Sequence, residues 1–482
     1  MGDVQHVAIV GGGATGAALA YNLSLRAVKV TVLEAKSDVG FGVSKANSGI
    51  VHGGFHLPVS TLEGRLELQG NQMFKQLAQD LHFSYSRCGI IMAAFSPEEL
   101  KIVEGYYRRG VENNVPGMTW CTPEQLRELE PGLAEGVLGG LLAPDGAVVE
   151  PYSYVFSLCS QAKRNGAEIL TDFQVTSAEY SGGQWHITAA DGRSCTADYA
   201  VNAAGLYADQ VSRIFGGEEM EILPRKGDEY LLDRNISYRP QHVIFPVPTE
   251  HSKGVLIIPT AGGTTMVGPT ARMTEDKEDT ATTAQDREEV FALAEKMIPG
   301  VSQRDIIASF CGLRPVLQNW PGKFMLCISG KAPALIQAAG IQSPGLTASP
   351  AVALYLIELL EKAGLTAPLK SSVAPFPEYV KPLREMTPEE ADLKFQEDPA
   401  WTRIVCRCEM VSEAEIVRAI RMGHTTLDGV KFFTRAGMGR CQAGFCTARI
   451  LEIIARETGR SVEEITKRGG ASRIAASSQE AK

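Results

Sequence analysis

Apolar and glycine-rich stretches alternate at the start of the chain. VAIV (7–10) leads into the turn GGGATG, then into apolar positions at helical spacing, then into VTVL (30–33) with Glu34 at its end. Two short apolar runs flanking an amphipathic segment predict a strand, a helix and a second strand, a complete βαβ unit. Gly11, Gly13 and Gly16 fall in the spacing G-x-G-x-x-G at its first turn. In that arrangement the first glycine permits the tight turn, the second lets backbone approach a pyrophosphate at the helix N-terminus, and the third lets helix and strand pack closely. Glu34, 18 residues beyond Gly16, is placed to accept hydrogen bonds from a ribose hydroxyl. The segment predicts a dinucleotide site.

Two later stretches read as returns to the same sheet. ADYAVNAAGLYADQV (197–211) is a strand whose small terminal residues open a helix, and GIQSPGLTASPAVALYLIELLEKAG (340–364) is a glycine turn before a long apolar helix. Small residues at strand ends leave room for an adenine or a flavin ring to lie against backbone. Between them, HVIFPVPTE and GVLIIPTAGGTTMVGPTA carry the period-two alternation of an inserted antiparallel sheet, the expected place for a substrate.

The pattern changes at 371–400, where five prolines and many charges with little periodicity read as a linker. A compact unit follows over 401–470, then a frayed tail over 471–482. Within the unit Cys406 and Cys408 form a C-x-C pair, and Cys441 and Cys446 a C-x4-C pair, with 32 residues between the pairs. Four thiolates on two turns bind either tetrahedral zinc or an iron–sulfur cluster. Zinc ribbons use C-x2-C knuckles, and GMGRCQAGFC offers glycine amides to cluster sulfides, so the spacing favours iron–sulfur. The stretch between the pairs predicts two helices, the first opened by Ser412 as N-cap with Glu415 three residues on.

Composition narrows the class. The chain has 482 residues, 44% of them hydrophobic and 21% charged, enough for a large core. A net charge of −9 without a basic stripe disfavours nucleic-acid binding. No run of about 18 apolar residues occurs, the start lacks a signal-peptide pattern, and His6 stands where myristoylation needs Ser or Thr. The expectation is a cytoplasmic protein with no transmembrane segment of its own, peripheral to the inner membrane only through a partner. The other six cysteines are scattered singly, too dilute for a disulfide framework.

SKANSGIVHGG (44–54), KGVLIIPTAGGTTMVGPTA (253–271), FCGLRP (310–315) and GIQSPGLTASPA (340–351) carry a family resemblance. The first 365 residues resemble the flavin-dependent glycerol-3-phosphate oxidase/dehydrogenase group of the D-amino-acid-oxidase-like superfamily. The C-terminal unit resembles the 2Fe-2S domain of the bacterioferritin-associated ferredoxin type, a pairing similar to the anaerobic, quinone-linked branch of that group. The resemblance implies an α/β chain, α+β overall. A Rossmann-like FAD-binding domain (about 1–80, 140–215 and 325–365) carries an inserted antiparallel-sheet substrate domain (about 81–139 and 216–324). Together these make an oxidoreductase over 1–370, ahead of a small helical 2Fe-2S domain with four cysteine ligands.

It further implies noncovalent FAD, held by Gly11, Gly13, Ala14, Thr15, Gly16, Glu34, Ser44, Asn47, Ser48, Val175, Ala204, Gly205, Gly340, Gly345, Leu346 and Thr347. It carries over His52 as catalytic base and Lys253 and Arg314 as binders of an anionic substrate end, with Cys406, Cys408, Cys441 and Cys446 holding the cluster. Some family members have an Arg shortly after the His-Gly-Gly element; this chain reads HGGFHLP, with His56 there, which leaves phosphate against carboxylate open.

Oxidising a secondary alcohol requires a base for the hydroxyl proton, a role a neutral imidazole fills, and a guanidinium that grips an anion bidentately. The expected reaction is oxidation of sn-glycerol-3-phosphate to dihydroxyacetone phosphate, with electrons passing through FAD and 2Fe-2S to a partner protein. The alternatives are an L-2-hydroxy acid such as L-2-hydroxyglutarate, an amine or amino acid, or a non-enzymatic electron-transfer role.

Overall fold

The computed structural model describes residues 4–248, 254–318, 320 and 324–476. The opening βαβ unit forms as its pattern dictates: strand His6–Val10, helix Ala14–Ser24 and strand Lys29–Leu33. The strands pair in parallel, His6 opposite Lys29 through Val10 opposite Leu33. Gly16 is obligatory by contact, because a Cβ there would overlap the carbonyl oxygen of Gly11.

The first predicted return joins this sheet as a strand, and the second begins directly after the strand Leu335–Ala339 that also joins it. Its order is Met325–Ile328, Leu335–Ala339, Tyr199–Asn202, His6–Val10, Lys29–Leu33, Glu168–Leu170, parallel except for the first pair. Helix Gly345–Lys362 packs against helices Ala14–Ser24 and Leu62–Leu81, which explains its nearly continuous apolar sequence. At Gly70 the last of these comes so close that a Cβ would strike the backbone oxygen of Thr347.

A nine-stranded sheet sits beside the first. It includes the long antiparallel pair Ile222–Leu232 and Ile306–Leu317, and the segments Leu256–Pro259 and Thr265–Gly268 whose alternation signalled it. One of its pairings, Val243–Phe245 with Ile90–Ala94, is parallel, so this sheet is mixed. A smaller three-stranded sheet (Val175–Ser181, Gln184–Ala189, Ser194–Ala197) flanks the other side of the parallel sheet.

The stretch 371–400 carries more structure than its prolines suggest. Thr387 and Glu390 close a capping box on the helix Pro388–Glu397, while Gln161 donates to the Ala374 carbonyl and Asn165 accepts from its amide. Beyond it, a hairpin (Ile404–Cys406, Val411–Ser412) and helices Glu413–Arg421, Leu427–Thr434 and Thr447–Thr458 enclose Ile416, Val430, Ile450, Ile454 and Ile465. Ser412 caps the first helix and Glu415 returns the bond, the reciprocal pair anticipated from their spacing. Among the described residues no helix is long and apolar enough to cross a membrane.

Candidate functional site

A cleft of about 1300 Å³ runs from the glycine turn, between the two large sheets, to the C-terminal unit. Pockets for one small molecule hold roughly 300–1,000 Å³, so this one suits an extended cofactor with a substrate beside it. Gly11, Gly13, Ala14, Thr15, Glu34, Ser44, Asn47, Ser48, Val175, Ala204, Gly205, Gly345, Leu346, Thr347, His52 and Arg314 all line it. Gly16 and Gly340 do not: Gly16 packs the helix on its strand, and Gly340, at φ +67°, turns the chain after strand Leu335–Ala339. Lys253 lies outside the described residues.

The glycine cradle accommodates a dinucleotide. Gly11 has φ +109° and a Cβ there would lie 2.5 Å from the oxygen of Ala203. Gly11→Ala is therefore expected to lower FAD affinity by about tenfold or more, read as flavin retained per protein after dilution. Glu34 is buried. Its Oε2 accepts from Gly12 N at 2.7 Å and its Oε1 from Lys36 N at 2.8 Å; burial pushes its carboxyl up against both bonds. Ser44 Oγ takes the amide of Ala14 at 2.9 Å, and Asn47 braces its own loop through Ser44 O and Gly49 N.

At the far end three elements converge on His52. Its backbone amide donates to Thr347 Oγ1 at 2.9 Å, its carbonyl accepts from Asn71 Nδ2 at 2.8 Å, and its Nε2 lies 3.3 Å from Ser343 Oγ. The ring meets His56 edge to face at 4.9 Å, and His56 Nδ1 lies 3.9 Å from Glu67 Oε1. Glu67, fully buried on helix Leu62–Leu81, escaped notice in the sequence; an acid on an apolar helix face was its only trace.

Arg314 faces Arg225 across the long strand pair. Its Nη2 donates to the carbonyls of Lys226 and Thr270 and its Nε to that of Arg225, while Nη1 has no partner among the described residues. Burial and the neighbouring Arg225 charge pull it down to about 10, against Glu229 and Cys311. Glu229 is a second residue missed in the sequence. It lines the cleft beside Arg314, accepts from Ser48 Oγ at 2.7 Å, and is pushed by burial up to about 7, against Ser48 and Arg314.

The four cysteines meet in two pairs. Cys408 Sγ and Cys441 Sγ lie 3.6 Å apart, while Cys406 shares a hydrogen bond with Cys446. Two thiolates on one tetrahedral ion stand about 3.7 Å apart at metal–sulfur bonds of about 2.3 Å. The two close sulfur pairs suit two metal ions with two thiolates each. The Gly437 amide donates to Cys406 Sγ at 3.5 Å. Met410, Arg435, Gln442 and Ala443 all adopt left-handed φ around these loops, a concentration of strained backbone typical of functional geometry. Cys408 is exposed and Phe445, beside Cys446, is 87% exposed, so one edge of the site reaches the surface. On the other side Arg435, Met438 and Gln442, which follows Cys441 directly, line the large cleft.

A dinucleotide cleft bordered by a four-thiolate site is the arrangement of an oxidoreductase with a nucleotide cofactor and an iron–sulfur site. Comparison with known proteins agrees: residues 6–359 match the FAD dependent oxidoreductase family and residues 404–456 the BFD-like 2Fe-2S binding domain. The chain belongs to the FAD dependent oxidoreductase family and carries FAD and a 2Fe-2S cluster as its cofactors. Among its relatives, a glycerol 3-phosphate dehydrogenase of Caloramator mitchellensis is 35% identical over 464 residues, 96% of both chains. A component of the anaerobic glycerol-3-phosphate dehydrogenase of Escherichia coli K12 is 25% identical over 96% of this chain and 91% of its own. In structure, the FAD-bound L-alpha-glycerophosphate oxidase of Mycoplasma pneumoniae superposes with a TM-score of 0.74 at 26% identity, covering 79% of this chain and all of that one.

Proposed function

We propose that this enzyme oxidises sn-glycerol-3-phosphate to dihydroxyacetone phosphate and delivers the electrons through its cluster to a partner protein. The observation that carries the reading is the shared cleft. His52 and Arg314, a base and a fixed cation, line the same cavity as the glycine cradle and the Gly345–Thr347 turn.

FAD held by the glycine turn would supply the hydride acceptor, and a cluster on Cys406, Cys408, Cys441 and Cys446 would supply one-electron chemistry beside it. The protein's own groups do the rest. His52 removes the hydroxyl proton as the hydride departs, and Thr347 and Asn71 hold its backbone so that the ring has one approach. His56, backed by Glu67, confines that ring from the other side. Arg314, braced by three backbone carbonyls, presents its remaining N–H groups to the anionic end of the substrate. Gln442 and Met438 bring the Cys441 loop to the cavity wall.

Anaerobic titration followed in the visible spectrum tests the reading, because flavin and cluster bleach at different wavelengths. Glycerol-3-phosphate should bleach the flavin first and the cluster after it. Bleaching by L-2-hydroxyglutarate or by an amine, with none by glycerol-3-phosphate, would overturn the substrate; substoichiometric iron and sulfide would overturn the electron route.

A pH dependence follows from Glu229. Neutral below about 7, it leaves the Arg314 charge to the substrate; ionised above, it adds a negative charge beside an anion. KM should rise as pH climbs through about 7, and Glu229→Gln should flatten that rise.

A further inference from the structure

We infer that the iron–sulfur domain is itself part of the FAD site: Lys431, with Lys467 and Arg468 at the rim, joins Lys45 of the flavin domain in a cationic cover over the cofactor's phosphates. The placement begins with the segment after Glu34. Residues 36–45 form the lip of the cleft beside the glycine turn, with Lys36, Ser37, Phe41, Ser44 and Lys45 all facing it. The C-terminal unit lies along this lip. Ser37 Oγ donates to the carbonyl of Arg468 at 2.9 Å, and the Asp38 carboxylate pairs with His424 Nδ1 at 2.7 Å. Phe41 meets Phe432 edge to face at 5.8 Å. Asp428, Lys431, Lys467, Arg468 and Gly469 thereby become cleft wall, although they lie more than 400 residues from the glycine turn in sequence.

The charges on this stretch do not balance. Lys45 stacks on Phe41 at 4.6 Å and on Phe432 at 5.3 Å, and Lys431 approaches Phe432 from 5.9 Å. Two acids stand in this stretch, but Lys467 Nζ already holds both Asp428 oxygens at 2.6 and 2.8 Å, and Asp38 is engaged by His424. Burial, reinforced by Lys467, Arg468 and Lys431 and opposed by Asp428, pulls Lys45 down to about 8. Lys45 follows Ser44, whose Oγ takes the Ala14 amide, and it shares the cleft wall with Lys431; such part-buried ammonium groups suit an anion, and a pyrophosphate on the glycine turn would supply two negative charges.

The inference rests on FAD occupying this cleft, and wild-type protein without flavin would refute that premise, not the cover. The test compares full-length holoprotein with Lys431→Gln, which keeps the side-chain bulk and removes the charge. Flavin release after dilution, read as the rise in flavin fluorescence, should be about tenfold faster in the variant and less sensitive to added salt, with iron and sulfide content unchanged. Release within twofold of wild type, or release that rises only in parallel with loss of iron, would overturn the cover.

A second measurement needs no variant. Amine acetylation of wild-type protein, mapped by mass spectrometry, should mark Lys45 and Lys431 several-fold less in FAD-loaded than in FAD-stripped protein, while the exposed Lys75 is unaffected. Equal labelling in both forms, or protection by inorganic pyrophosphate without protection by FAD, would overturn it.

Discussion

His52→Ala should slow substrate-driven flavin bleaching by about 10²–10⁴-fold while flavin content stays at the wild-type level. The separation is possible because the groups that fix the loop act on the His52 backbone. Its amide is held by Thr347 and its carbonyl by Asn71, and both bonds survive truncation of the ring. The imidazole is thereby isolated as the variable. Single-turnover reduction under anaerobic conditions measures the effect, and added imidazole should restore part of the rate by entering the space the ring vacates. A rate within threefold of wild type would remove His52 from the proton transfer.

The second large effect concerns the joint between the domains. Arg435 is buried, adopts φ +69° at the end of helix Leu427–Thr434, and pairs with Glu150 of the flavin domain and with Glu409 at 2.9 Å. Glu409 sits one residue past Cys408 and also binds Arg234 at 2.7 Å across the domain boundary. Burial opposes the charged guanidinium, but Glu150, Tyr152 and Glu409 outweigh it and hold Arg435 above its ordinary range. Gly262 makes the space, since a Cβ there would collide with that guanidinium.

Arg435→Met leaves Glu150 buried beside an apolar side chain, and removing one partner of a buried pair costs about 3–5 kcal/mol. The expected outcome is that the cluster's visible signal melts well before the flavin domain unfolds, and that electrons pass from flavin to cluster more slowly in stopped flow. Arg435→Lys should recover only part of either loss, because one ammonium cannot serve two carboxylates as a planar fork does. Unchanged melting and unchanged transfer would mean that the ion pairs only decorate the boundary.

Much of this site could be read from the chain because its determinants are local. The glycine turn and the capping box at Ser412 and Glu415 work through neighbours within a few residues, while Glu34 and the two cysteine pairs lie within one short supersecondary unit each. Backbone sterics and hydrogen-bond geometry act over that range, so their spacing carries their meaning. Lys253, anticipated as a substrate ligand, lies outside the described residues and stays an expectation.

Glu67, Glu229 and Arg225 left no comparable trace. Each is one charged residue in an ordinary helix or strand, and its significance comes from what the opposite element brings to it: His56 for Glu67, Ser48 and Arg314 for Glu229. The prolines of 371–400 read as a linker, and capping by Thr387 and contacts with Asn165 order part of it, which no local pattern announced.

The sequence by itself determined that this chain holds a dinucleotide on a βαβ turn and metal on four thiolates, because each of those needs only a short run of residues in the right order. Only the tertiary structure decided that residues flanking the thiolates form part of the dinucleotide cavity's wall. The Glu150–Arg435 bridge and the seating of Phe432 on Phe41 join residues roughly 300 to 400 positions apart. Such a contact is selected by burial and charge pairing in three dimensions, for which the order of residues along the chain holds no period to read.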